Sequence, residues 1–284
     1  MEGAAGGSHL DDVPGRTGRT GLLDVEPALA TLSARIRIGS WNVREGIPHP
    51  ASSPDSRPQA LREIVRLVHE HAIDVLALQE VDFTAEGESE ILLALLAQTE
   101  LQYAATLPLS ESSFESGGRA GVAVVSRHPV GAIDSFYLRN PRLSVGAGQD
   151  RLTLHDKGAV TCTIDFGLDR LSVVSFHSFP FHRFGHSAQE PGFKSIWDGI
   201  GRTLSRLDGR RLVLCGDFNT EDRGVILNSL SFPMTTTFSG RPTHNGKGFD
   251  DVLYSPDFAP VNRAQLIPNF SDHSLCLAEL ALCR

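Results

Sequence analysis

Four cysteines in 284 residues are too few and too scattered for a disulfide framework or a zinc site. None forms a CxxC pair. Cys162, Cys215 and Cys276 lie inside apolar runs (VTCTI, LVLCG, HSLCLAEL), where small buried thiols belong. The sequence also lacks any run of about 18 apolar residues, so no transmembrane helix is expected. Its opening, MEGAAGGSHLDDVPGRTGRTG, holds nothing like the apolar stretch of a secretory signal, and a cytoplasmic location is expected. No stripe of Lys or Arg is present and the net charge is −8, which argues against a broad, non-specific grip on nucleic acid. Repeats of fixed period are absent too. The acidic balance leaves phosphate substrates open, because a bound divalent cation offsets carboxylates locally.

What is present is a chain that is 40% hydrophobic, enough for a sizeable core. Residues 1–33, rich in Gly with scattered Pro, Thr and Asp, read as a disordered leader. From there residues 34–284 read as one domain. RIRIGSWNV alternates as a strand does. In RPQALREIVRLVHEH, Leu61, Ile64, Val65 and Val68 fall at i, i+3, i+4 and i+7, the mark of a helix with one apolar face. ESEILLALLAQT and FKSIWDGIGRTLSRL read as further helices. IDVLALQEV, GVAVVSRHPV, RLVLCGD, FDDVLYS and HSLCLAEL read as strands, while GAVTCTIDFG and RLSVVSFHS read as a hairpin. RNPRLSVGAGQD and SFPFHRFGHSAQEPG read as loops. Strands outnumber helices, and both βαβ and hairpin order occur, which predicts mixed sheets with helices outside.

Several strands end or open on the same kind of residue. Asn42 ends the first, Glu80 closes LALQE, and His177 closes VVSFH. Asp217 and Asn219 follow LVLCG. Asp250 and Asp251 open FDDVLYS, and Asp272 and His273 open the last strand. Any one of these reads most simply as a cap or turn residue. Together they form a set of Asp, Glu, Asn and His without a lysine, at strand ends where an unpaired buried carboxylate would be costly. Such acceptor-rich clusters suit a hard divalent cation.

In order, SWNV, LALQEVD, GVAVVSRHPV, VVSFH, GDFNTE, FDDVLYS and SDHSL resemble the endonuclease/exonuclease/phosphatase (DNase I-like) superfamily, from Arg35 to about Leu280. The resemblance implies a four-layer α/β/β/α sandwich of two mixed sheets flanked by helices. It implies hydrolysis of a phosphate ester with Mg²⁺, or Mn²⁺, as cofactor. Glu80 matches the metal-binding glutamate, Asn42 the amide near metal and phosphate, and Asp272 an acid at the metal. Asp217 matches the carboxylate that orients or deprotonates the attacking water. Asn219, two residues on in a segment read as extended, would hold the phosphate or that water from the same side. His273 matches the histidine beside the phosphate, Asp250 the acid that orients it, and His177 a histidine that donates to the phosphate. With an ordinary histidine pKa near about 6.5, either protonation state would be accessible at neutral pH.

Some positions depart from the family pattern or stay open. Arg44 stands where some nuclease branches carry an acid; it reads first as a surface residue, with a phosphate contact as the alternative. Asp251 sits where an aromatic is frequent, so a slip of one residue would exchange it with Asp250 as partner of His273. Arg119 is a candidate phosphate contact or a structural residue. His128, His155 and His244 read as ordinary turn residues. The loop carrying His182, Arg183 and His186 is either a shaper of substrate choice or a packed surface loop. The expected substrate is a phosphate ester, within nucleic acid or a small phosphorylated metabolite, and a monomer is expected. The competing class is a non-catalytic module that binds a phosphate ligand or a protein partner on the same fold.

Overall fold

Runs of Val, Ile and Leu become strands. The computed structural model describes residues 34–51, 53–148, 151–207 and 209–283; the expected leader lies outside the described residues. The first half contains β1 (Arg35–Asn42), α1 (Arg57–Glu70), β2 (Val75–Phe83), α2 (Glu90–Gln98), β3 (Tyr103–Glu111), β4 (Arg119–Ser126) and β5 (Val130–Tyr137). Two short strands follow, β6 (Ser144–Val145) and β7 (Leu152–Thr153), then β8 (Gly158–Phe166), β9 (Asp169–His177), α3 (Lys194–Leu204) and β10 (Leu212–Asp217). The chain closes with α4 (Gly224–Leu227), β11 (Thr235–Thr236), β12 (Asp250–Tyr254), β13 (Phe258–Pro260), β14 (Gln265–Ile267) and β15 (Leu275–Leu282).

One sheet runs β13-β15-β1-β2-β4-β3, with β14 also on β15; the other runs β11-β12-β10-β9-β8-β5. Both are mixed: β1 with β2 and β9 with β10 are parallel, and the other pairs within them are antiparallel. Three apolar clusters fill the spaces between layers. Ile38, Val124, Val173 and Val252 are among those meeting between the sheets. Trp197 and Ile200 of α3 pack on the outer face of the second sheet. Ile64 and Leu67 of α1, with Ile91 and Leu95 of α2, pack on the outer face of the first. The result is the four-layer α/β/β/α sandwich. The buried stripe of α1 is Ala60, Ile64, Leu67 and Val68; Leu61 and Val65 lie at its margin, so the helix is rotated from the predicted face. No helix among the described residues is long and apolar enough to cross a membrane.

The topology gathers the polar strand ends at one edge. β1, β2, β9 and β10 run towards it, whereas β12 and β15 start from it. There His177 and Asp250 flank Asp217 in register on β9 and β12. Gly216 is required beside them: a Cβ on it would lie 2.2 Å from the Phe176 carbonyl oxygen. The Gln79 amide joins the two sheets below this edge, donating to Ser175 Oγ at 3.1 Å, while the Ser175 hydroxyl donates back to the Leu78 carbonyl at 2.7 Å.

Candidate active site

Asp217 is the hub of the edge. It ends β10 and is 2% exposed. Its Oδ2 accepts from Asn42 Nδ2 at 3.2 Å and lies 3.5 Å from His177 Nε2 and 4.0 Å from His273 Nε2. Residues from both sheets thus converge on one carboxylate oxygen. Burial, and then the charge of Asp250, push the Asp217 carboxyl up to about 6, against the pull of His273 and the Asn219 amide.

The two histidines differ in state. Burial drives His177 well below the usual imidazole range, and the charges of Lys157 and His273 push the same way. His177 is therefore neutral at neutral pH. Burial would also lower His273, but Asp250 Oδ2 sits 2.8 Å from its Nδ1, and with Asp217 and Asp272 it raises the ring to about 10. His273 is therefore an imidazolium. Neither ring titrates near 6.5 as expected from the residue type alone, because each is buried beside a fixed charge. Asp250 Oδ2 also accepts from Thr243 Oγ1 at 2.6 Å, while its Oδ1 is buried without a hydrogen-bond partner.

The register of FDDVLYS falls on Asp250. Asp251 turns to the opposite face, where it pairs with Arg223 at 3.1 Å and accepts the amides of Thr237 and Phe238. Asn219 requires a correction. Its segment is not extended: φ is +51°, a left-handed conformation that Asn tolerates better than most residues. Its amide nitrogen donates to Asp217 Oδ1 at 2.9 Å, and its Nδ2 to the Ser178 carbonyl at 3.0 Å. Asn219 still lines the cleft, by way of a turn.

Glu80 reaches the cleft through a β-bulge. Gln79 pairs with Val122 and Val81 with Gly121, leaving Glu80 as an extra residue with φ +53°. Its carboxylate is half-buried, 3.8 Å from His177 Nε2, and accepts no hydrogen bond from a described residue. Asp272 lies with His244 and His273 in one group whose ligand atoms are all within 4.8 Å; Asp217, Asp250 and His273 form another. The Glu80 carboxylate, which accepts no hydrogen bond from a described residue, and Asp272, whose Oδ1 accepts from the Ser271 hydroxyl at 3.3 Å, would suit a hard divalent cation. Asn42 turns its amide nitrogen to Asp217 and its oxygen to the Arg44 amide at 3.1 Å, so here it orients Asp217.

A cleft of about 840 Å³ opens over these groups. It is also lined by His155 and His244, so neither is an ordinary turn residue. Lys157 lies on its floor, 3.0 Å from His177 Nε2; burial lowers its pKa, against the attraction of Glu80 and Asp217. Lys157 was absent from the sequence-based set, yet hairpin register locates it: Phe166 pairs with Asp169 and Gly158 with His177, so Lys157 sits one step beyond the site histidine. Glu45 was missed too. It is buried, at about 6 because of burial, and bonds to the Ser112 hydroxyl and the Ser113 amide. Arg44 lines the cleft, but its guanidinium is occupied by the carbonyls of Ile47, Pro48 and Ala51 and lies over Phe114. Arg119 is exposed at the start of β4, bonded at 3.4 Å to the Leu109 carbonyl, and does not line the cleft.

A sequence model described as "Endonuclease/Exonuclease/phosphatase family" matches residues 39–273. No curated protein matches the sequence. Among solved structures, an endonuclease/exonuclease/phosphatase from Beutenbergia cavernae is similar at 21% identity and TM-score 0.64, over 88% of this chain and 72% of that one. The human Nocturnin catalytic domain with bound sulfate is similar at 18% identity and TM-score 0.59, over 88% and 94%. A humanized D. rerio TDP2 is similar at 15% identity and TM-score 0.54, over 87% and 99%. At these identities the likeness speaks for the fold.

Proposed function

The chain belongs to the endonuclease/exonuclease/phosphatase family, and from that premise we propose that it hydrolyses a phosphate ester with a divalent cation by in-line attack of water. Members of the family generally act on phosphoester bonds. The observation that carries the reading is Asp217, a buried carboxylate with Asn42, His177 and His273 disposed around one oxygen at 3.2, 3.5 and 4.0 Å.

In this reading Asp217, ionised above about 6, orients the attacking water and takes its proton. Asn42 and the Asn219 amide hold that carboxylate in place. His273, kept charged by Asp250, donates to a non-bridging phosphate oxygen and stabilises the charge that develops there. His177, neutral and buried, donates to the phosphate from the other side. A divalent cation held by Glu80 and Asp272 supplies further charge neutralisation when bound.

The test is hydrolysis of bis-p-nitrophenyl phosphate by the purified protein with Mg²⁺ or Mn²⁺. Turnover that EDTA abolishes is expected, and Glu80→Gln should raise the metal requirement and cut kcat sharply. Undiminished rates in excess EDTA would remove the metal role. No turnover of any phosphoester would remove the reading.

A further inference from the structure

Four rings run outward from the site. His273 and His244 have centroids 4.1 Å apart, His244 and Phe249 5.9 Å, and Phe249 and His182 4.8 Å, with interplanar angles between 21° and 31°. Each ring is fixed. His244 Nδ1 donates to the Asp272 carbonyl at 3.2 Å, and its Nε2 accepts from Asn245 at 3.0 Å. His182 is held at the backbone of Asn219, whose own amide bonds Asp217. The loop was built to place it: Phe181 and Phe184 of FHRF are buried, with Phe181 stacked 4.2 Å from Phe193, so His182 between them is presented outward and exposed.

This column stands where the catalytic cleft meets a second hollow of about 580 Å³. His182, Asn219, His244, Asn245 and Phe249 line both spaces. The lysine of the second hollow, Lys247, is paired with Glu221 at 3.2 Å, and its Asp222 accepts from Gln189. The hollow thus offers ring faces, amides and, with Glu221 and Asp222 beside one lysine, a lining that disfavours a further phosphate.

Building on the proposed phosphoesterase reading, we propose that His182 is a stacking platform for a flat heteroaromatic ring on one arm of the ester, so that the substrates are nucleoside phosphates rather than phosphorylated inositols, sugars or lipid headgroups. A flat base lies on an imidazole face over its whole area, whereas a puckered inositol or sugar ring meets it only through a few C–H bonds, a weaker contact. Stacking tolerates any base, so the platform selects the class and not the sequence.

The experiment is calorimetric binding, with Mg²⁺, of adenosine 5′-monophosphate against ribose 5-phosphate, which differ only by the base, and of inositol 1-phosphate. Adenosine monophosphate should bind at least about tenfold more tightly than the other two. His182→Ala should bring the three close together, and His182→Phe should keep the preference. Equal affinities in the native protein, an unchanged ratio in His182→Ala, or failure of His182→Phe to preserve it would overturn the platform. Hydrolysis of bis-p-nitrophenyl phosphate, measured in parallel, separates the two ideas. Turnover without base preference sinks only the platform; base preference without turnover of any phosphoester sinks only the hydrolase.

Discussion

His177 and His273 are both almost fully buried, on either side of the same Asp217 oxygen, and they end up in opposite charge states. His177 has an ammonium at 3.0 Å; His273 has a carboxylate at 2.8 Å. Burial, reinforced by Lys157, keeps His177 neutral, whereas at His273 the Asp250 carboxylate overrides the same burial. The cleft floor carries a neutral imidazole at one end and an imidazolium at the other, with the Asp217 carboxylate between them.

The sharpest way to break this comparison is to remove what the two histidines share. Asp217→Asn should lower kcat by at least about 10²-fold, as should His273→Ala. Because they serve one transition state, the double variant should be far less impaired than the product of the single losses. Near-native kcat in both single variants would end the assignment. A lesser effect comes from discharging one side. Asp250→Asn should cost kcat less than His273→Ala does, and it should move the His273 titration, followed by NMR, down from about 10. Native kcat should fall as pH drops through about 6, where Asp217 protonates, and again as pH rises through about 10, where His273 loses its proton. A rate at saturating Mg²⁺ that is flat from pH 5 to 7 would contradict that lower limb.

On the other side, Lys157→Met removes a cation that depresses His177. The His177 pKa should rise, though burial will hold it below the usual range, and KM should rise about tenfold if the ammonium meets the phosphate. An unmoved His177 titration would show that Lys157 does not set its state. The smallest effect on rate belongs to Asp251→Asn. It should leave kcat nearly unchanged while destabilising the protein by on the order of 3 kcal/mol, because it strips Arg223 of a buried partner. Thermal melts and kinetics on the same preparations would show the split; a crippled kcat with an unaltered melt would reverse the roles of the adjacent aspartates.

Much of this was legible in the sequence. Alternating Val and Ile gave the strands, and the acids, amides and histidines at their ends gave the edge. Three things resisted. Lys157 stands just before its strand and becomes visible only once hairpin register is counted against His177. Asn219 and Glu80 need positive φ, which no apolar period reveals. β3, β5 and the short strands β11, β13 and β14 went unread; the burial of β3 and β5 is only partial, and pairing with β4 and β8 makes them strands. The protonation states were out of reach as well, since they depend on which charge lies within about 3 Å of each ring.

The bulge at Glu80 has a use for the protein engineer. It is one residue long, and the pairs on either side of it, Gln79 with Val122 and Val81 with Gly121, are already consecutive on β4. Deleting Glu80 alone would close the gap and leave β2 in unbroken register, with Gln79 still tied to Ser175. A single-codon deletion therefore offers a decoy: the register on both sides of the gap is kept, and the glutamate proposed to hold the cation is cut out with nothing put in its place.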